Sequence, residues 1–220
     1  MISKSLYLAS AAFFALVVPS TASAHHPLAG APMETFSHGL LSGIGHPLLG
    51  FDHLFFVIAM GIAAVYTTRR YAMPFAYIGA MLLGCFAMSI GVSLPAKEFV
   101  IAVSLVVLGA AIFRGKALGI APAMTLFLGF GLFHGSAFGD SIAAQEVALG
   151  TEVLVGYLIG LGALQYTIAV GSGWLVSSFM KATEAEDVRV RISGAMVAGA
   201  GVFLTLESLE GMAFAALGIG

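Results

Sequence analysis

Long apolar runs separated by short polar breaks make up most of the chain, and six of them approach the roughly 20 residues that a helix needs to cross a bilayer core. By hydropathy they cover about 47–67, 72–94, 98–113, 118–138, 153–179 and 192–214. The pattern predicts an all-α membrane protein of six transmembrane helices, because backbone in lipid must satisfy its own hydrogen bonds. Two shorter apolar stretches come first. Residues 33–45 place Phe36, Leu40, Leu41 and Ile44 at roughly helical spacing yet are too few to cross, which predicts a short interfacial or re-entrant helix leading to His46. Residues 1–24 read as a cleaved signal peptide: Lys4, an apolar core from Leu6 to Val18, then Pro19 and the small-x-small triplet Ala22-Ser23-Ala24. The mature chain then starts at His25, and 25–220 forms a single transmembrane domain.

Composition strengthens the membrane assignment. Hydrophobic residues are 60% and charged residues 9%, against about 25% charged in an ordinary soluble domain, and the mean hydropathy is +1.02. The net charge of −2 argues against a nucleic-acid partner. Glycine, 28 of 220 residues, suits helices whose backbones approach closely, and the pair Gly156 and Gly160 suits helix packing within a protomer or in a homo-oligomer. The single Cys85 excludes an internal disulfide and any multi-cysteine metal or cluster site.

The basic residues are distributed unevenly. Arg69 and Arg70, then Arg114 and Lys116, then Lys181, Arg189 and Arg191 occupy alternate breaks between spans. By the positive-inside rule those breaks are cytoplasmic and both mature termini are periplasmic, which a cleaved signal also requires. This orientation puts every histidine at or just below the outer face. His25, His26 and His38 precede the first span, His46 and His53 open it, and His134 closes the fourth. Asp52, Glu98 and Asp140 fall on the same side, and Glu207 and Glu210 extend the carboxylate set.

Such groups are functional candidates, because a charged side chain near the middle of a span costs roughly 2.5–3.5 kcal/mol. Imidazole and carboxylate together suit a borderline divalent metal. On a straight helix His46 and His53 share a face but lie about 10 Å apart, too far for one ion whose nitrogen bonds are about 2.0–2.1 Å in the case of zinc. Pro47 and Gly50 therefore predict a break that leaves His46 on non-helical backbone, able to fold over Asp52 or His53 inside a polar cavity. Otherwise the two histidines serve successive positions along a path. The fourth span repeats the spacing at His134 and Asp140, with Gly135 and Gly139 between them.

These motifs resemble those of the HupE/UreJ proteins, membrane proteins associated with hydrogenase and urease gene clusters and regarded as nickel or cobalt permeases. The resemblance covers nearly the whole chain. It rests on His46-x5-Asp52-His53, on Pro95-x-x-Glu98 followed by Ile101-Ala102-x-Ser104 and Leu108-Gly109, and on Phe133-His134-Gly135-x-Ala137-x-Gly139. There is one departure. The family pattern has Glu two residues after that last glycine, where this chain has Ser141, with Asp140 one position earlier.

The resemblance implies ATP-independent uptake of Ni(II) or Co(II), with Zn(II) a third candidate, across the bacterial cytoplasmic membrane and with no permanently bound cofactor. In that reading His46, Asp52, His53 and His134 replace the hydration shell, Glu98 and Asp140 balance charge, and His25, His26 and His38 collect the ion. Independently, the chain has no Gly-x4-Gly-Lys-[Ser/Thr] phosphate loop and no long cytoplasmic loop for an ATPase. Two other readings use the same residues. One is a zinc-dependent intramembrane hydrolase with Ser136 beside His134, and the other is an accessory protein that hands metal to a metalloenzyme.

Overall fold

In a computed structural model of the chain, residues 33–143 and 150–218 are described, and helices are the only regular elements among them. They are α1 (Phe36–Leu49), α2 (Phe51–Val65), α3 (Ala72–Ser89), α4 (Lys97–Phe113), α5 (Ile120–Ala143), α6 (Thr151–Trp174) and α7 (Val188–Leu217). A π-helical turn, Leu175–Phe179, continues α6. The expected signal peptide, and His25 and His26 after it, lie outside the described residues.

Four helical segments, Ala72–Ser89, Ile120–Asp140, Thr151–Phe179 and Val188–Leu217, are long and apolar enough to cross a membrane. The pair α1 and α2, bent by 81° at its break, passes the same test as one broken span or re-entrant loop. The expected third span is α4, whose 17 residues extend about 26 Å at a rise of roughly 1.5 Å, short of the roughly 30 Å hydrocarbon core.

The start of the first expected span needs correcting. Helix α1 does not stop at residue 45 but runs through His46 and Pro47 to Leu49, so His46 sits on helical backbone. Pro47 takes one donor out of the ladder, and within a turn the chain leaves the helix at Gly50, which is extended at φ −92° and ψ 95°. Helix α2 then begins afresh, the Leu54 amide bonding the Gly50 carbonyl at 3.0 Å.

Helices pack as three intimate pairs, α3 with α5, α4 with α7 and α1 with α6, while α2 runs between them and touches α4 and α6 most. Small residues make each pair close. On α5, Gly131, Gly135 and Gly139 recur every fourth residue and lie against the α3 backbone at Tyr77, Met81 and Cys85, and Gly84 of α3 lies against Leu132. Gly39 and Gly43 of α1 meet Val153 and Tyr157 of α6, and Gly156 and Gly160 meet Phe36 and Leu40 in return. Gly109 of α4 meets Gly194 and Ala198 of α7. Lipid offers no hydrophobic gain for bringing two helices together, so this close van der Waals fit is what joins them.

The three basic breaks come together at one end of the bundle. The Tyr66 hydroxyl donates to the Ala182 carbonyl at 2.6 Å, and Arg191 Nε donates to the Phe113 carbonyl at 3.0 Å. Asp187 caps α7 by accepting from the Arg189 amide at 2.9 Å. Hydrogen bonds from the Arg189 side chain and backbone hold its carboxyl down at about 2, so the cap stays charged near neutrality. The carboxylates Asp52, Glu98, Asp140 and Glu207 gather at the opposite end.

Glycine at position 135 is required by space. A Cβ there would overlap the Met81 carbonyl, whereas one at Gly129 of the same helix meets nothing within 4 Å. Gly135→Ala is expected to cost about 1–3 kcal/mol through overpacking, and Gly129→Ala is expected to be neutral or stabilising through helix propensity. Thermal unfolding of the two variants in detergent or nanodiscs checks the contrast.

Candidate metal site

The sequence places His53 in the first turn of α2, where its backbone amide donates to Asp52 Oδ1 at 2.8 Å. The two side chains then part. Asp52 faces a cavity, while His53 points inward and is only 7% exposed. His134 of α5 is fully buried opposite it, one residue before the glycine stripe that presses α5 onto α3. The imidazoles meet with Nδ1 to Nδ1 at 2.8 Å and ring centroids 4.9 Å apart.

A serine settles which nitrogen carries which proton. Ser104 Oγ of α4 donates its hydrogen to the Ile101 carbonyl at 2.6 Å, so it accepts from His134 Nε2–H at 3.1 Å. His134 Nδ1 is then the acceptor and His53 Nδ1–H the donor. His53 Nε2 keeps its lone pair. Aromatic rings enclose the pair. Phe138 lies 4.2 Å from the His53 ring, and Phe56 and Tyr77 lie 4.5 Å and 5.8 Å from His134. Neighbours that apolar keep water from competing with a ligand for the nitrogens.

Beside the pair is a cavity of about 230 Å³ lined by Asp52 of α2, Glu98 and Ala102 of α4, and Leu204, Glu207 and Ser208 of α7. Three helices thus contribute one carboxylate each. A larger cavity, about 500 Å³, lies at the basic end between α2 and α6. It is lined by Arg70, Tyr71 and Trp174 and holds no acid or histidine, so it is remote from this chemistry.

The remaining expected ligands stand apart. Among the described residues no three of His, Cys, Asp and Glu converge on one point, so the expected shared pocket divides into an imidazole pair and an acidic cavity. His46, held on the last turn of α1, meets the edge of Phe138 at 5.5 Å, and Phe138 thereby stands against both His46 and His53. Asp140 is ion-paired with Lys97 at 2.5 Å, because the two residues top neighbouring helices. His38 Nδ1 accepts from the Glu34 amide at 3.2 Å within the first turn of α1. His134 is deeper than expected, since α5 continues past it to Ala143.

Sequence reading assigned no role to Ser104, although its motif contained it. A lone hydroxyl on an otherwise apolar helix two turns from Glu98 was the available signal. Ser136 Oγ accepts from the Leu94 amide at 3.1 Å, and the hydroxyl bonded to the His134 ring is that of Ser104 instead.

Comparison with known proteins agrees with the motifs. The family described as HupE / UreJ protein matches residues 13–204. Protein HupE of Rhizobium leguminosarum bv. viciae is 30% identical over 195 residues, covering 86% of this chain and 93% of that protein. No solved structure matches. With the imidazole pair inside a match that omits only the ends, the chain belongs to the HupE/UreJ family of membrane proteins.

Proposed function

We propose that this protein is an ATP-independent permease that takes up Ni(II) or Co(II) across the bacterial cytoplasmic membrane. The observation that carries this reading is the buried pair of imidazoles from separate helices, one of them oriented by Ser104. A metal-binding histidine characteristically donates its second ring N–H to such a partner. The distance supports it as well. Two nitrogens bound at about 2.0–2.1 Å sit about 2.9 Å apart when they meet the ion at a right angle, and about 3.3 Å apart in a tetrahedron. The pair's 2.8 Å is that of an N–H···N hydrogen bond, so the two nitrogens already stand near the separation at which one ion could be held by both.

In this mechanism the carboxylates of Asp52, Glu98 and Glu207 draw the hydrated cation into the cavity. It then moves to His53 and His134, where two imidazoles replace part of its water shell. Entering between the two Nδ1 atoms requires the His53 proton to move to Nε2, so that both rings bind as neutral imidazoles. Two donors make an incomplete shell, which suits an ion that must leave again. Co-locating the basic breaks at one end of the bundle supports a topology with that end in the cytoplasm and the acidic cavity facing the periplasm. In the full topology we count α4 and the broken pair α1–α2 as spans, giving six, with residues 1–24 removed and both mature termini periplasmic.

Radioactive nickel uptake by proteoliposomes tests the assignment. His53→Ala and His134→Ala should abolish accumulation, and wild-type accumulation in both would remove the permease reading. Ser104→Ala, which leaves the ligands but frees the His134 ring, should weaken nickel affinity about 10–100-fold, measured by equilibrium binding. Uptake by the wild type should fall as external pH is lowered, since a protonated ring has no lone pair to offer, and initial rates along a descending pH series check the sign.

A further inference from the structure

Two fully buried residues have polar atoms with no hydrogen-bond partner among the described residues and no part in the site above. They are Gln165 of α6, unpaired at both Nε2 and Oε1, and Tyr77 of α3, unpaired at its hydroxyl. Buried polar groups are almost always paired, so each such exception requires a cause. Lipid supplies no hydrogen bonds to offset the loss.

Their level in the bundle is fixed by packing. Gly61 of α2 lies against Ala169 of α6, and Gly173 lies against Gly61 and Val65, so the two helices run in the same direction with these residues in register. One turn back from that contact puts Gln165 level with Val57, and His53 is one turn further toward the acidic end. Tyr77 reaches the same level by a separate route. Tyr166, next to Gln165, stacks on Phe75 of α3 at 4.3 Å, and Gly162 of α6 lies against Ile78 and Leu82 of α3, which brackets residue 165 at the height of Tyr77. Tyr157, on the buried stripe of α6 that carries Gln165, already gives its hydroxyl to the Phe138 carbonyl at 3.2 Å and leaves Gln165 unserved. Ser42, the other residue with an orphaned buried atom, lies on α1 one turn before His46 and is not part of this level.

We infer that Gln165 and Tyr77 form a second, oxygen-bearing station for the hydrated cation, one helical turn from the imidazole pair toward the basic end, with the Phe56 ring packed against both Tyr77 and His134. The inference rests on the permease reading and extends it. Water molecules on the cation donate to Gln165 Oε1 and to the Tyr77 oxygen, while Gln165 Nε2 donates to a water or anion that follows. Neutral oxygen donors hold a late first-row cation less tightly than imidazole. The ion therefore regains water as it moves inward, which is what release requires.

The test uses the full chain in proteoliposomes with Ni(II) alone as substrate. Gln165→Leu and Tyr77→Phe should lower initial uptake by roughly tenfold or more, the scale of one lost buried hydrogen-bond partner. Equilibrium nickel binding should stay within about twofold of wild type, since the imidazole pair is intact, and thermal stability should hold or rise once an unpaired buried group is gone. Wild-type uptake in both variants would overturn the station. A wild type that takes up no nickel would instead overturn the permease reading. The station is then judged on the unmodified protein by X-ray hydroxyl-radical labelling, which marks side chains beside bound water. Oxidation of Tyr77 supports a wet station, and a Tyr77 as unreactive as the fully buried Phe127 overturns it.

Discussion

Close backbone approach at glycine is the constraint on which this structure depends. Between lipid-exposed helices the hydrophobic effect provides little, and association falls to van der Waals contact over short distances. Three glycines on α5 at four-residue spacing let that helix settle against α3 at Tyr77, Met81 and Cys85. Side chains on the adjoining stripe, His134 and Phe138, are thereby turned into the bundle, where α2 presents His53 and Phe56. The same device on α1 and α6 ties the segment preceding the break to the rest of the bundle.

The break at Gly50 has a chemical consequence. It starts a fresh helix within the bundle, so Asp52 and His53 occupy a first turn, where unpaired backbone amides favour negative charge. Adjacent residues there project in different directions. Asp52 turns to a wet, acidic cavity, and His53 turns to a dry aromatic interior. A carboxylate and an imidazole adjacent in the chain thus face different surroundings. Helix α4 repeats the division with Glu98 in the cavity and Ser104 behind His134.

The motifs named the polar groups within the spans but not which of them would meet. His53, His134, Asp52 and Glu98 were all legible as polar intrusions into apolar runs, because lipid makes each of them costly. Their partners were not. Asp140 has the spacing to His134 that Asp52 has to His46, yet it pairs with Lys97 because residues 97 and 140 meet across the ends of two helices. His46 was expected on irregular backbone over Asp52 or His53, but α1 extends one turn further and His46 meets the edge of the Phe138 ring. Gln165 and Tyr77 belong to no motif, and only packing reveals that nothing among the described residues satisfies their polar atoms.

What the sequence determined by itself was the solvent and the polar groups set within it. Apolar run length requires a bilayer, the placement of arginine and lysine distinguishes the two ends of the bundle, and histidine and carboxylate stand out as costly intrusions into apolar runs. Tertiary structure decided which of those groups touch. Helical periodicity gives each residue a direction relative to its own axis, but contact depends on how far apart two axes lie and how they are rotated. Here those distances are set by glycines between α3 and α5, which fix where His134 stands to meet His53 of α2, a relation that no local pattern encodes.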